Sequence, residues 1–267
     1  MWRYPQILLL LVGTLPCVAS DTLTIANVES HFLVPTERGR GQIECHLWAS
    51  YPVSGGSELQ SSIKTWLTQT LCDIVSIDSV SVVPGNPLMS ELESRFLAAA
   101  QSEALQVPSG YDKSFGLVLD AHLEREYETS RAITLNLEVK RYGVDSVYIP
   151  VSRSITFLKS GGDFLEWGDL LLPATKQQTR FRTALIKQIL RYFNMSSYDD
   201  LCARLGIDPQ PAQSDFPLPQ LPPALTPNGL RVTYQVGELS PISGFIVTYI
   251  PYSDVKGTFT NAAKKLL

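Results

Sequence analysis

The first regular pattern in the chain is an alternation of apolar and polar positions between residues 41 and 51. The apolar side chains fall at every second position, at Ile43, Cys45, Leu47, Ala49 and Tyr51. A period of two is typical of a strand that buries one face, and it places Trp48 on the opposite, outer face. A looser apolar pattern around residues 23–33 predicts an earlier strand, joined to this one by a turn at Arg38–Gly41.

Two helices are predicted next, because the apolar spacing changes from two to three or four. The first begins near Ser57, which fits an N-cap position with Gln60 completing a capping box. Its apolar stripe consists of Leu59, Ile63, Trp66, Leu67 and Ile74. Residues 84–87 break the pattern, and a second helix follows over about residues 89–105. Each stripe must be covered by another layer of the fold.

Three long strands with short connections follow, over residues 115–128, 133–139 and 147–157. Their alternation predicts an antiparallel meander with one buried face, which the two helices would cover. The outer face of the first strand carries Asp120, His122, Glu124, Glu126 and Glu128. Period two places these five side chains in one row, which is called the acidic row below.

The last third of the chain is predicted to begin with a helix over residues 175–193. A short helix follows, which Ser197 caps and Gly206 ends. Residues 208–228 are rich in proline, and their interspersed apolar side chains indicate a segment that packs against a surface. Two final strands lie after Gly229.

Together these elements predict the α+β class: an antiparallel β-meander sheet packed on helices, with a small C-terminal β-rich segment. We assign residues 21–207 to an N-terminal α+β region. Residues 208–267 form the C-terminal segment, which shares or abuts the same core.

The first 20 residues have the three-part pattern of a secretory signal. Arg3 is followed by an apolar run from Ile7 to Val12, and small residues precede a cleavage site after Ser20. The run is shorter than the roughly 20 residues of a membrane-spanning helix. We therefore expect a signal peptide at residues 1–20, a periplasmic or extracellular protein, and no transmembrane span after cleavage. A lipid anchor on Cys17 is the alternative, although Pro16 fits a lipoprotein site poorly.

Charge and cysteine content exclude several classes of protein. The net charge is −4, so nothing indicates binding to nucleic acid or to an anionic membrane. Cys45, Cys72 and Cys202 would remain after cleavage, either as three unpaired thiols or as one disulfide and one thiol. The chain has no CxxC spacing, and we predict neither a metal site nor a cofactor.

Few groups in the sequence are suited to catalysis. The chain has three histidines, His31, His46 and His122. Cys45 and His46 are adjacent on a strand and therefore point to opposite faces, so they cannot form a nucleophile–base pair. The acidic row could bind a basic partner or a metal ion, or it could be a solvated face paired with bases such as Lys140 and Arg153.

Aromatic side chains supply the other candidate binding groups. Trp48 could stack on a sugar ring or anchor a partner, or another segment could cover it. Tyr234, Tyr249 and Tyr252 could line one surface together with Glu238, or they could be half-buried packing residues.

Several motifs, in order along the chain, resemble a known family. They are Tyr127-Glu128-Thr129, Phe164–Leu170, Leu225–Tyr234 and Gly244–Val255. They resemble the paired extracytoplasmic domains of unknown function found in the anti-sigma factor RsiV and in the N-terminal region of the peptidoglycan deacetylase PdaC. The resemblance implies an extracytoplasmic binding role. Many relatives have a histidine in the loop that corresponds to residues 142–146, and this chain lacks it, so no ligand role is carried over for that loop.

Two hypotheses for function follow. The first is a non-catalytic cell-envelope binding or accessory module that recognises an envelope protein or a peptidoglycan-type glycan. The second is a hydrolase acting on an envelope polymer through the acidic row, with His122 and Glu124 in a deep cleft. The candidate binding residues are Trp48, Asp120, His122, Glu124, Glu126, Tyr234, Glu238, Tyr249 and Tyr252.

Overall fold

A computed structural model describes residues 22–36, 41–75, 88–107, 115–142, 148–208, 215–239 and 244–267. The predicted signal peptide, the alternative anchor at Cys17, and most of the predicted turns at 38–41 and 142–146 lie outside these residues. Within the described residues, no helix is long and apolar enough to cross a membrane.

The elements follow one another as strands, two helices, strands and then a mixed C-terminal part. In order they are β1 (Thr24–Pro35), β2 (Gln42–Ser54), α1 (Ser57–Val75), α2 (Leu88–Gln106), β3 (Phe115–Glu128), β4 (Ala132–Tyr142), β5 (Tyr148–Leu158), α3 (Trp167–Leu170), α4 (Thr175–Tyr192), α5 (Tyr198–Leu205), β6 (Ala224–Leu225), β7 (Gly229–Tyr234), β8 (Ile246–Pro251) and α6 (Asn261–Lys264). The predicted α+β class is confirmed.

The larger sheet has five strands in the order β1-β2-β3-β4-β5. β1 and β2 are antiparallel, whereas β2 and β3 are parallel. The sheet is therefore mixed. The long crossover connection through α1 and α2 allows β3 to run parallel to β2. The predicted three-strand meander is present as β3, β4 and β5. A second, three-stranded sheet contains β6, β7 and β8.

The chain forms two compact units. Unit 1 comprises the described residues of Met1–His122 and Lys140–Ile149, and unit 2 comprises Leu123–Val139 and Pro150–Leu267. Each of β3, β4 and β5 contributes residues to both units. The predicted boundary between residues 207 and 208 stays a prediction.

In unit 1, α1 and α2 pack on one face of β1 and β2. The buried side chains are the alternating ones of β2 and the apolar stripes of the two helices: Ile43, Cys45, Leu47, Ala49, Ile63, Leu67, Leu71, Leu92, Phe96 and Ala100. The predicted capping box is wrong. Ser57 is already helical, the backbone N–H of Gln60 donates to the Gly56 carbonyl oxygen, and the Gln60 side chain donates to the Pro52 carbonyl oxygen at 3.2 Å.

In unit 2, one core joins helices α4 and α5 to the three-stranded sheet. Its members include Phe181, Leu185, Ile189, Leu201, Leu205, Leu230, Val232, Tyr234, Ile246 and Ile250. The predicted caps of α5 are confirmed. The Ser197 side chain accepts a hydrogen bond from the Asp200 backbone, and Gly206 has a positive φ of 65°. Phe216 of the proline-rich segment is buried in this core, as its apolar character indicated.

The three described cysteines are buried thiols, outside disulfide bonds. Burial raises the pKa of Cys45 to about 12, with a smaller contribution from the negative charge of Glu103. A thiol with so high a pKa is protonated at neutral pH and is a poor nucleophile. This agrees with the prediction that Cys45 and His46 form no catalytic pair.

Candidate functional site

The outer face of β1 and β2 in unit 1 carries three neighbouring rings. His31 lies directly opposite His46 in the antiparallel register, and their ring centroids are 4.4 Å apart. His46 and Trp48 are two residues apart on β2, so they share a face. Their rings are stacked, with centroids 5.1 Å apart and an interplanar angle of 14°. We call these three side chains the ring platform.

The ring platform is open to solvent. His31 is exposed and Trp48 keeps 37% of its surface exposed. The prediction that Trp48 lies on the outer face is therefore confirmed, and of its two interpretations the exposed one fits. A contiguous exposed apolar patch can mark a binding site, whereas single exposed apolar side chains are common on any protein.

Carboxylates flank the rings on the same face. Glu29 is paired with Trp48 across β1 and β2, and Asp120 of β3 is paired with Trp48 on the other side. Paired residues point the same way, with Cβ atoms about 5 Å apart. Glu44 is two residues before His46, and its partner on β3 is Gly116, where even an added Cβ would meet nothing within 4 Å. The platform therefore has hydrogen-bond acceptors beside it and open space at one edge.

The acidic row divides between the two units. Asp120 and His122 belong to unit 1, while Glu124, Glu126 and Glu128 belong to unit 2. His122 and Glu124 are exposed. Glu128 forms salt bridges with Lys159 at 2.5 Å and with Arg125 at 2.6 Å.

Hydrogen bonds from these two bases, chiefly Lys159, lower the pKa of Glu128. This end of the row thus matches the expectation of a solvated face paired with bases. Among the described residues, no group of three or more His, Cys, Asp or Glu is placed to hold a metal ion.

Glu126 lies in a polar cluster that the sequence did not predict. Arg231 of β7 reaches it at 3.3 Å, and the same guanidinium donates to the Ser152 hydroxyl at 3.1 Å. Tyr249, which is 49% exposed, places its hydroxyl 3.5 Å from Glu126 and its ring beneath Arg231. Only 9% of the Arg231 side chain is exposed. The cluster mainly ties β7 to β3 and β5 inside unit 2.

Three other predicted candidates have bonds inside unit 2. The Tyr234 hydroxyl donates to the Pro217 carbonyl oxygen at 2.7 Å, and the Tyr252 hydroxyl donates to the Thr226 carbonyl oxygen at 2.7 Å. Glu238 accepts hydrogen bonds from the backbones of Gln220 and Gln235. These contacts fit the packing interpretation of the tyrosines, with Tyr249 as the exposed one.

The two bonded tyrosines predict a loss of stability in alkali. Burial raises the pKa of both Tyr234 and Tyr252 above the usual value of about 10. The unfolded chain then ionises first, so their contribution is complete below about pH 10 and is lost as the pH rises further. Urea unfolding between about pH 8 and 11 should show this decline.

The matched variants for that experiment are Tyr234→Phe with Tyr252→Phe and, as control, Tyr192→Phe at an exposed position. The double variant should lose about 1 kcal/mol per hydrogen bond at pH 7 but decline less steeply above pH 10. Equal alkaline slopes for the double variant and the control would contradict the assignment.

Unit 2 also contains concave sites that involve none of the predicted residues. An apolar pocket of about 340 Å³ is lined by Trp167, Leu171, Phe181 and Leu218, among others. A larger cleft lies along α4. Neither His122 nor Glu124 lines either of them. Neither of these two concave sites is therefore the deep cleft around His122 and Glu124 that the hydrolase hypothesis requires.

Sequence reasoning missed two members of the ring platform and the central arginine of the polar cluster. His46 had a signal, because it is two residues before Trp48 and thus on the same outer face. His31 could be placed only once the register of β1 against β2 was known. The one signal for Arg231 was that it is the charged residue in β7.

The described residues thus form an α+β fold, with a mixed five-stranded sheet, helices and a small three-stranded sheet. No family model and no curated protein matches the sequence. Among solved structures, a DUF3298 family protein from Pseudomonas aeruginosa PAO1 is similar, with 15% identity, a TM-score of 0.60, and coverage of 91% of this chain and 97% of that one.

A DUF3298 family member from Bacteroides fragilis NCTC 9343 is similar too, with 13% identity, a TM-score of 0.58, and coverage of 91% and 95%. At such low identity the likeness shows the fold alone.

Proposed function

We propose that this protein is an exported, non-catalytic binding module of the cell envelope, and that its ring platform recognises a cell-wall glycan. In this proposal residues 1–20 direct export and are removed. The resemblance to the extracytoplasmic domains of RsiV and PdaC supports the location. The observation that carries the proposal is the contact of the exposed His31 and Trp48 rings with the half-buried His46 ring, which is stacked on Trp48 and tilted by 33° from His31.

A sugar ring has one apolar C–H face and a polar edge of hydroxyl groups. The apolar face can lie on an exposed aromatic ring, whose π-surface is electron-rich. The hydroxyl groups at the edge can then donate to carboxylates, which are strong acceptors. Glu29, Glu44 and Asp120 stand in register with or beside the rings and can accept such bonds.

The flat geometry favours binding over catalysis. A platform built on two paired strands is rigid, so a ligand meets it with little loss of conformational freedom. Its neighbouring thiol, Cys45, is buried on the opposite face of β2 with a raised pKa. His122 and Glu124 are exposed on their strand and do not face each other across a cleft that excludes water.

The proposal is tested by binding to purified peptidoglycan and to soluble peptidoglycan fragments, measured by pull-down and calorimetric titration. Trp48→Ala should weaken binding about tenfold or more, which corresponds to about 1.4 kcal/mol or more. His46→Ala should weaken binding less, because it removes a smaller ring. Trp48→Phe should retain part of the affinity.

Tyr192→Ala is the matched control, since Tyr192 is also an exposed aromatic residue but lies in unit 2. Its affinity should equal that of the wild type. The proposal fails if the unmodified protein binds neither peptidoglycan nor its fragments. It also fails if Trp48→Ala binds as well as Tyr192→Ala. Binding to an envelope protein alone, through the platform, would replace the glycan with a protein ligand.

A further inference from the structure

Helix α4 has an unusual charge for a protein that is acidic overall. Its 18 residues include Lys176, Arg180, Arg182, Lys187 and Arg191 but no aspartate or glutamate. The whole chain has a net charge of −4. The positive charge on α4 is therefore a local feature, and it requires its own explanation.

Two of the five bases are bonded to groups that do not line the cleft described below. Arg182 donates through Nε to the Phe216 carbonyl oxygen at 2.9 Å, and Arg191 donates to the Gln188 side chain at 3.2 Å. The remaining three, Lys176, Arg180 and Lys187, are all exposed. Spacings of four and seven residues place them on one face of the helix.

These three bases line a cleft of about 580 Å³ between α4 and the turn that follows β8. The turn contributes Ser253 and Asp254, and Asp254 is the one carboxylate among the described residues of the lining. Its side chain accepts from Lys187 at 3.3 Å, and its backbone carbonyl oxygen accepts from Nε of Arg180 at 3.2 Å. The lining thus carries an excess of positive charge, with Arg180 held in place through one nitrogen.

We infer that this cleft binds a linear polymer whose repeating units carry phosphate groups. From Lys176 to Lys187 the helix rises by about 16 Å, so the positive charges form a row that is longer than one phosphate. The planar fork of Arg180 can hold two oxygens of a phosphate group through its terminal nitrogens. The lysines supply charge on either side. This site is independent of the ring platform, which belongs to unit 1.

The test uses inorganic polyphosphate as the probe, with pyrophosphate and poly-glutamate as comparisons, in titrations of the full mature chain at several salt concentrations. Polyphosphate should bind about tenfold or more tightly than pyrophosphate, because several bases are engaged at once. It should also bind more tightly than poly-glutamate. Replacing all three bases, as Lys176→Gln, Arg180→Gln and Lys187→Gln, should abolish most binding and lower the slope of log affinity against log salt by about 2 to 3.

The matched control removes three exposed lysines elsewhere, as Lys140→Gln, Lys264→Gln and Lys265→Gln, and should change binding little. A further variant, Arg180→Lys, keeps the charge but removes the fork. It should weaken polyphosphate binding severalfold, with unchanged thermal unfolding.

Three results would overturn the inference: no binding of polyphosphate by the unmodified protein at low salt, an equal loss in the control variant, or equal affinity for poly-glutamate.

Discussion

Replacing Gly229 with alanine should destabilise unit 2 by about 3 kcal/mol or more, because the new methyl group would collide with backbone atoms. A Cβ at this position would lie 2.3 Å from the Ile250 carbonyl oxygen and 2.9 Å from its carbon. Gly229 begins β7 and is paired with Pro251 of β8. Since both contacts are backbone, relief requires the two strands to separate.

Thermal and urea unfolding measure this effect, and Gly244→Ala is the matched control. An added Cβ at Gly244 would meet nothing within 4 Å. The control should therefore stay within about 1 kcal/mol of the wild type. If Gly229→Ala were as stable as Gly244→Ala, the result would contradict the close backbone contact between β7 and β8 at Gly229.

The second large effect is expected from Arg231→Met. The substitution keeps most of the apolar length of the side chain but leaves the Glu126 carboxylate, of which 18% is exposed, without its base. An unpaired charge in such a position costs about 3 kcal/mol. The Ser152 hydroxyl and the Tyr249 ring would lose a partner as well. Urea unfolding at neutral pH is the measurement.

A double-mutant cycle separates the pair from its surroundings. Arg231→Met combined with Glu126→Met should recover a large part of the lost stability, because no charge then remains unpaired. Glu124→Met is the matched control for the second substitution, since Glu124 is an exposed member of the same row. Additive losses in the double variant would show that Arg231 and Glu126 are not coupled.

The sequence predicted the features that depend on neighbours along the chain. Helix α4 was expected over residues 175–193 and is observed at Thr175–Tyr192. The Ser197 cap and the left-handed Gly206 were expected from their local chemistry and are present. The outer position of Trp48 followed from the period of β2 alone. In each case the determining residues lie within a few positions of one another.

The features that were missed depend on contacts between distant residues. The parallel pairing of β2 with β3 follows from the crossover through α1 and α2, which no periodicity reveals. Arg231 and Glu126 are 105 residues apart in sequence. The hydroxyl of Tyr234 bonds to a carbonyl oxygen 17 residues away. The alternating pattern of the strand therefore could not distinguish a tyrosine at an exposed interface from one that is bonded internally.

Only part of the candidate site was predicted, because some of its contacts join residues that are distant in the sequence. Trp48 and Asp120 were named from their strands, and the register places them side by side in unit 1. His46 lies on the same face as Trp48 because both belong to β2, whereas the position of His31 beside His46 required the pairing of β1 with β2. The alternation along each strand therefore predicts which face each residue lies on. Only the register between strands shows that His31 is a neighbour of His46 and that Asp120 is a neighbour of Trp48.

The most direct test of the proposed function is a two-dimensional NMR titration of the labelled protein with a soluble peptidoglycan fragment. The proposal predicts concentration-dependent shifts of the Trp48 indole N–H and of backbone amides near His31, His46 and Asp120. Resonances of unit 2 residues such as Tyr192 should stay unchanged. Shifts confined to unit 2, or no shifts at saturating concentrations of the fragment, would contradict the assignment of glycan binding to the ring platform.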